Sequence, residues 1–134
     1  MIVSMVMFLM LSSCGITLNR PPDVDRGAPP RLFVTGDLVR LGSVRQGESA
    51  GTTLMVRNVG ASTLRIVKIE TSCACISVTP ATLVIHQSGA ANLDIRIHTN
   101  GKTGDISETV TLRSNDPLEP VKSIVFTVNI PENK

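Results

Sequence analysis

The chain has 134 residues, with 13 Lys and Arg against 11 Asp and Glu, a formal net charge of +2 and no basic block. That balance argues against a nucleic-acid surface. With no Trp, no Tyr and three Phe (Phe8, Phe33 and Phe126), the chain also lacks aromatic platforms for bases or sugars, and its core has to be aliphatic.

Met1 to Leu11 is apolar except for Ser4. This run is shorter than the ~20 residues a helix needs to cross a bilayer. It has the length of the apolar part of a signal peptide. Leu11-Ser12-Ser13-Cys14 follows and resembles the bacterial lipobox. The resemblance implies cleavage before Cys14 and a diacylglycerol on its sulfur, which would attach the protein to a membrane. No Lys or Arg precedes Cys14, so either the α-amine alone supplies the positive charge or the true start lies upstream. Gly15 follows the cysteine, and no Asp occupies that position. By analogy with enterobacterial sorting this favours the outer membrane, facing the periplasm or the cell surface.

Gly15 to Pro30 holds four prolines and four charges. Such a stretch cannot bury enough apolar surface to order itself and reads as a tether. The expected organisation is a signal peptide over 1–13, a lipidated Cys14 and tether over 14–30, one domain over 31–131 and a tail over 132–134. A domain of that length is of ordinary size.

Within the domain, period-two runs alternate with turn signals. The runs predict strands near 31–34 with 38–41, then 51–58, 63–71, 75–79, 82–86, 90–99, 105–114 and 121–130. Leu54 aligns with Val56. Leu64 and Ile66 share a face, after which Val67 and Ile69 are out of step by one residue, which predicts a bulge. Leu93, Ile95 and Ile97 share a face, as do Ile124, Phe126, Val128 and Ile130. In the 105–114 run Ile106, Val110 and Leu112 share a face that Glu108 interrupts. A buried Glu is costly, so Glu108 is expected near a strand end or at the sheet rim. Asn58-Val59-Gly60, Gln87-Ser88-Gly89, Asn100-Gly101 and Asn115-Asp116-Pro117 separate the runs and supply turn geometry. No segment sustains a helical period. The pattern is that of an antiparallel β-sandwich of about seven strands.

The segments LGSVRQGE, MVRNVGASTLRIVKIETSCACISV, QSGAANLDIRIHTNGKTGDI and TLRSNDP fall in one order. Together they resemble the bacterial "domain of unknown function 1573" family over nearly all of residues 31–130. The resemblance implies an immunoglobulin-like sandwich, in proteins commonly secreted or lipid-anchored in envelope-bearing bacteria, with no established activity. Cys73 and Cys75 match the family's Ser-Cys-Gly-Cys motif, but Ala74 stands where glycine is usual. Alanine at positive φ costs about 1–2 kcal/mol, which puts any glycine-dependent geometry in question.

Three readings of Cys73 and Cys75 stay open: a disulfide or reversible thiol pair, two inert buried thiols, or a soft-metal site. Their spacing cannot span the ~10 Å between sandwich layers. The pair would therefore be local, at a strand end. Two thiolates suit Cu(I) or supply half of a zinc site. His86 and His98 are the histidines available for the other half, and both read better as solvated loop and strand-end residues. Ser114-Asn115-Asp116 reads as an Asx turn before Pro117. No nucleophile elbow, His-Glu-x-x-His, phosphate loop or dinucleotide fingerprint is present. The expected function is a non-catalytic interaction or scaffold module of the cell envelope, with no cofactor, no small-molecule substrate and another envelope protein as partner. The alternative is a periplasmic thiol-redox or Cu(I)-handling protein using Cys73 and Cys75.

Overall fold

The structure is a computed structural model, and it describes residues 27–132. The signal segment, Cys14 and most of the tether lie outside the described residues. Nine strands follow in order: β1 (Leu32–Val34), β2 (Leu38–Ser43), β3 (Ser49–Asn58), β4 (Leu64–Thr71), β5 (Ile76–Pro80), β6 (Val84–Ile85), β7 (Ala90–His98), β8 (Gly104–Ser114) and β9 (Val121–Ile130). Among the described residues no helix is long and apolar enough to cross a membrane.

The strands form two layers. The first sheet has the order β1-β3-β7-β5 and the second β2-β9-β8-β4-β6. Alternation in the sequence becomes inside and outside in the fold. Along β7, Ala91, Leu93, Ile95 and Ile97 are buried and the residues between them are exposed. They face Ile124, Phe126, Val128 and Ile130 of β9 and Val110 and Leu112 of β8 across the core. Phe126 is the only buried aromatic among the described residues. The rest of the core is aliphatic, as the composition requires.

Two departures from the sequence reading matter. The segment predicted as 31–34 with 38–41 divides between the layers. Thr35-Gly36-Asp37 carries the chain across, with Gly36 at φ +78°, where glycine has no Cβ to clash. The second half, β2, then runs parallel to β9, with Leu38 opposite Val125. All other pairings are antiparallel. With both halves of that segment and the short β6, which falls within the run read as 82–86, each a strand of its own, the structure has nine strands where about seven were expected. The bulge does occur, between Ile66 and Lys68. Val67 is the residue it throws outward, at 68% exposure, and only Ile69 returns to the core side.

Two buried polar residues pin the N-terminal edge. Asn58 uses all its amide capacity. Its Oδ1 accepts from the Arg31 and Gly60 N–H groups, and its Nδ2 donates to the Ser62 and Ile85 carbonyls. Asp116 is 1% exposed. Its Oδ1 accepts from Leu118 N–H and Glu119 N–H, which is the expected Asx turn. Its Oδ2 accepts from Leu32 N–H at 2.9 Å and so ties β1 to the far end of β8. Burial works against ionisation of Asp116. The three N–H donors and Arg31 outweigh it and hold the carboxyl below the usual aspartate value.

Gly60 is required by close approach. A Cβ there would lie 2.1 Å from the Pro29 carbonyl oxygen and 2.6 Å from Arg31 N. Beside this crossing, the Ala28 carbonyl accepts from Ala61 N–H and Ser62 Oγ–H. The packed unit therefore reaches back to Ala28, inside the segment read as tether.

Candidate functional site

The chain leaves the second sheet at Thr71 and enters the first at Ile76. Ser72 to Cys75 form the crossover between them. In the structure the Cys73 and Cys75 sulfurs are joined, with the Cα atoms 5.1 Å apart. A fully extended i, i+2 pair would be about 6.6 Å apart, so the turn at Ala74 and Cys75 brings the two residues closer. Ala74 is not at positive φ. Alanine in the glycine position therefore carries no backbone penalty here. Both cysteines are half-buried and pack against the core. Cys75 N–H points at Cys73 Sγ, 3.0 Å away.

β8 continues past the end of β4. The ladder between them ends at Thr71 opposite Val110, so Glu108, two residues further along β8 on the core-facing side, has no β4 residue beside it. The crossover lies there instead. Glu108 is thus mid-strand in β8 but at the rim of the β4–β8 pairing. Its Oε2 accepts from Ser72 Oγ at 2.6 Å, and its Oε1 accepts from Lys102 Nζ at 3.2 Å. Ser72 Oγ in turn accepts from Thr109 N–H at 2.8 Å, and Ser72 N–H donates to the Thr109 carbonyl. Glu108 Oε1 also lies 3.9 Å from Cys75 Sγ. A disulfide sulfur bears no proton, so this is a contact and not a hydrogen bond.

Cys73, Cys75 and Glu108 each place a donor atom within 4.8 Å of the others. The histidines do not join them. His98 is exposed at the end of β7, where its ring contacts Ser49 Oγ at 2.9 Å and Ser77 Oγ at 3.4 Å. His86 is exposed beside the Gln87–Gly89 turn, and its carbonyl accepts from Gly89 N–H. Both histidines are thus solvated, as the sequence reading had them, and the carboxylate that does meet the cysteines was not among the companions that reading considered. The available signal was Glu108 itself, the single charge interrupting an apolar face. Ser72 and Lys102 gave none.

A second feature lies along β3. β7 pairs with it from Ser49 to Arg57, but β1 covers its other edge only from Val56 to Asn58. The remaining edge, Ser49–Met55, has no ladder partner among the described residues. Asn58 N–H donates toward β7 and Val59 N–H toward Arg31, so alternation directs the odd-numbered N–H and C=O groups to the open side. Gly51 and Thr53 are among them.

These features define an immunoglobulin-like β-sandwich with a cysteine-bearing crossover and, along β3, an open strand edge. The family model for the HYDIN/CFA65/VesB-like, Ig-like domain matches residues 30–128. The chain belongs to that family. It is similar in structure to a protein of unknown function from Porphyromonas gingivalis W83, at 21% identity and a TM-score of 0.70. That match covers 83% of this chain and 51% of the other, so this chain spans about half of its length. It is also similar to the ASH/PapD-like domain 7 of human CEP192, at 11% identity and a TM-score of 0.65, covering 95% of this chain and 99% of that one. The periplasmic chaperone SfaE matches at 18% identity and a TM-score of 0.55, over 77% of this chain and 58% of its own. At these identities the likeness is one of fold alone. No curated protein matches the chain.

Proposed function

We propose that this chain is a non-catalytic interaction module of the bacterial cell envelope, anchored by lipid on Cys14, that accepts a strand from a protein partner along the open edge of β3. The observation that carries the reading is that edge. Seven residues, Ser49 to Met55, leave it unpaired, a length of about 23 Å at strand rise. Unpaired edges are templates for a further strand, and proteins blunt those they do not use. The terminal strands here are blunted. β1 has three residues, β6 has two, β5 ends at Pro80, and β2 breaks register before Ser43. The β3 stretch carries no charge, no proline and no bulge. A strand added in line with β1 would complete the sheet by main-chain hydrogen bonds.

The envelope location, with the anchor in the outer membrane facing the periplasm or the cell surface, rests on Leu11-Ser12-Ser13-Cys14 and Gly15. The family with the Ser-Cys-Gly-Cys motif remains the narrower kinship we propose.

The test uses the anchored protein in membranes. Cys14→Ala should move it to the soluble fraction. Gly51→Ala keeps the edge N–H, and its Cβ would meet nothing closer than 3.9 Å. Gly51→Pro removes that N–H on the open side only and leaves the β7 ladder intact. The alanine variant should retain whatever partner co-purifies with the wild type, and the proline variant should lose it at unchanged thermal stability. Equal recovery with both variants refutes strand addition at this edge. Native protein that is unlipidated at Cys14 refutes the anchor.

A further inference from the structure

We propose that Cys73, Cys75 and Glu108 form a zinc site once the disulfide is reduced. This goes beyond the interaction role and does not depend on it. The disulfide alone gives no reason for a carboxylate at this place. Glu108 interrupts the apolar alternation of β8, and partial burial of a carboxylate is costly unless it is partnered. The crossover supplies that partnering in a directional way. Ser72 holds Oε2, and Oε1, which accepts from Lys102 Nζ, faces Cys75 Sγ at 3.9 Å. Ser72 is itself fixed by Thr109 N–H. An oriented donor held by hydrogen bonds behind it is how proteins prepare a metal ligand.

The reduced state explains the arrangement. When both thiols ionise, the two thiolates and the carboxylate, within 4.8 Å of one another, carry three negative charges and repel one another. Lys102 Nζ, 3.2 Å from Oε1, supplies one positive charge. A divalent cation supplies the other two, and the cluster becomes neutral. The Cys75 N–H, directed at Cys73 Sγ from 3.0 Å, is a further donor fixed behind the sulfur. Two sulfurs and one oxygen suit Zn²⁺, whereas Cu(I) prefers sulfur throughout and Ca²⁺ or Mg²⁺ prefers oxygen throughout. Tetrahedral zinc with Zn–S near 2.3 Å places its two sulfurs ~3.8 Å apart. Residues whose Cα atoms are 5.1 Å apart can present them so by side-chain rotation. A water would fill the fourth position, because both cysteines are only half-buried.

The chemistry balances with a dithiol as reductant. Its two thiols form one new disulfide, the Cys73–Cys75 bond breaks, and two electrons and two protons pass to the cysteines. Zinc binding then releases two protons to solvent and leaves two thiolates on the metal. In the oxidised state the sulfurs are not thiolates and the site is closed, so metal binding reports the redox state of the crossover.

The test is a cobalt and zinc titration of the purified full chain. The protein is reduced with dithiothreitol, desalted without oxygen and titrated with Co²⁺, then with Zn²⁺. The expected result is one Co²⁺ per chain, with the near-ultraviolet sulfur-to-cobalt band and visible bands of a tetrahedral thiolate site, displaced by Zn²⁺. The oxidised protein should show neither. Zn²⁺ should raise the melting temperature of the reduced protein only. Cys75→Ser should abolish the sulfur band, and Glu108→Gln should weaken binding tenfold or more. Circular dichroism checks that each variant is folded, and the reduced and oxidised wild type give a comparison that needs no variant. Equal cobalt binding before and after reduction overturns the proposal, as does a folded Glu108→Gln protein that binds as tightly as the wild type.

Discussion

Asp116→Asn isolates the tie between β1 and the β8–β9 turn. The asparagine can keep an oxygen toward Leu118 N–H and Glu119 N–H, so the turn survives. Its other terminus is then an NH₂ group facing Leu32 N–H, where Oδ2 now accepts at 2.9 Å. The variant loses one charge-assisted bond and leaves a buried donor opposed by another donor. Such a loss costs about 2–3 kcal/mol. For a domain of this size each kcal/mol shifts the melting temperature by roughly 4–8 °C, so a fall of ~10–20 °C is expected. The pH dependence gives an independent check. The carboxyl is held below its usual value in the folded state, so its contribution is fully present above the unfolded value of about 3.9. That contribution is lost as pH falls through the folded value. The gap between wild type and variant should be wide at neutral pH and narrow in acid. Urea denaturation followed by circular dichroism at several pH values measures both. A variant within ~0.5 kcal/mol of wild type at neutral pH, or a gap that does not close in acid, refutes the reasoning.

Two further substitutions test other parts of the structure. Gly60→Ala places a Cβ 2.1 Å from the Pro29 carbonyl oxygen, so backbone has to move, and a loss of ~2–3 kcal/mol is expected from the same denaturation assay. Replacing Cys73 and Cys75 together with Ser removes a three-residue loop closure, for which chain entropy allows no more than ~1.6 kcal/mol. The double variant should stay folded with an all-β circular dichroism spectrum, and its unfolding would show that the crossover carries more of the fold than its size implies.

Much of this was legible because alternation is a local property. Each long strand came from residues two apart, and the bulge came from the one-residue slip between Ile66 and Val67. The turn at Asp116 was legible because an Asp two residues before a free N–H caps it without help from elsewhere. The sheet switch at Thr35–Asp37 was not. Both halves of that segment alternate, and nothing local states that Val39 will lie beside Phe126 in parallel. The second role of Asp116 was hidden for the same reason, since Leu32 lies 84 residues away. The sulfur–carboxylate cluster depends on β4 ending before β8 does, which is a fact about two strands and not about either sequence. Glycine at position 74 was expected to matter on the assumption of positive φ. The turn is made without it, so alanine serves.

Both candidate sites arise where the chain changes sheets, and the geometry explains why. A strand that leaves one layer early stops covering its neighbour. At Thr35–Asp37 the departure of β1 uncovers β3 from Ser49 to Met55. At Ser72–Cys75 the departure of β4 uncovers β8 at Glu108. The first vacancy exposes main-chain donors and acceptors, which another strand can satisfy. The second exposes a core-facing position, which a polar side chain can occupy because the crossover brings its own hydroxyl and sulfurs to meet it. A continuous β1 pairing along all of β3 would close the first site, and a longer β4 would close the second. Each vacancy thus presents groups that the core itself does not use, unpaired main-chain donors and acceptors at the first and an oriented carboxylate beside two sulfurs at the second, and that is the physical ground for assigning them work beyond stability.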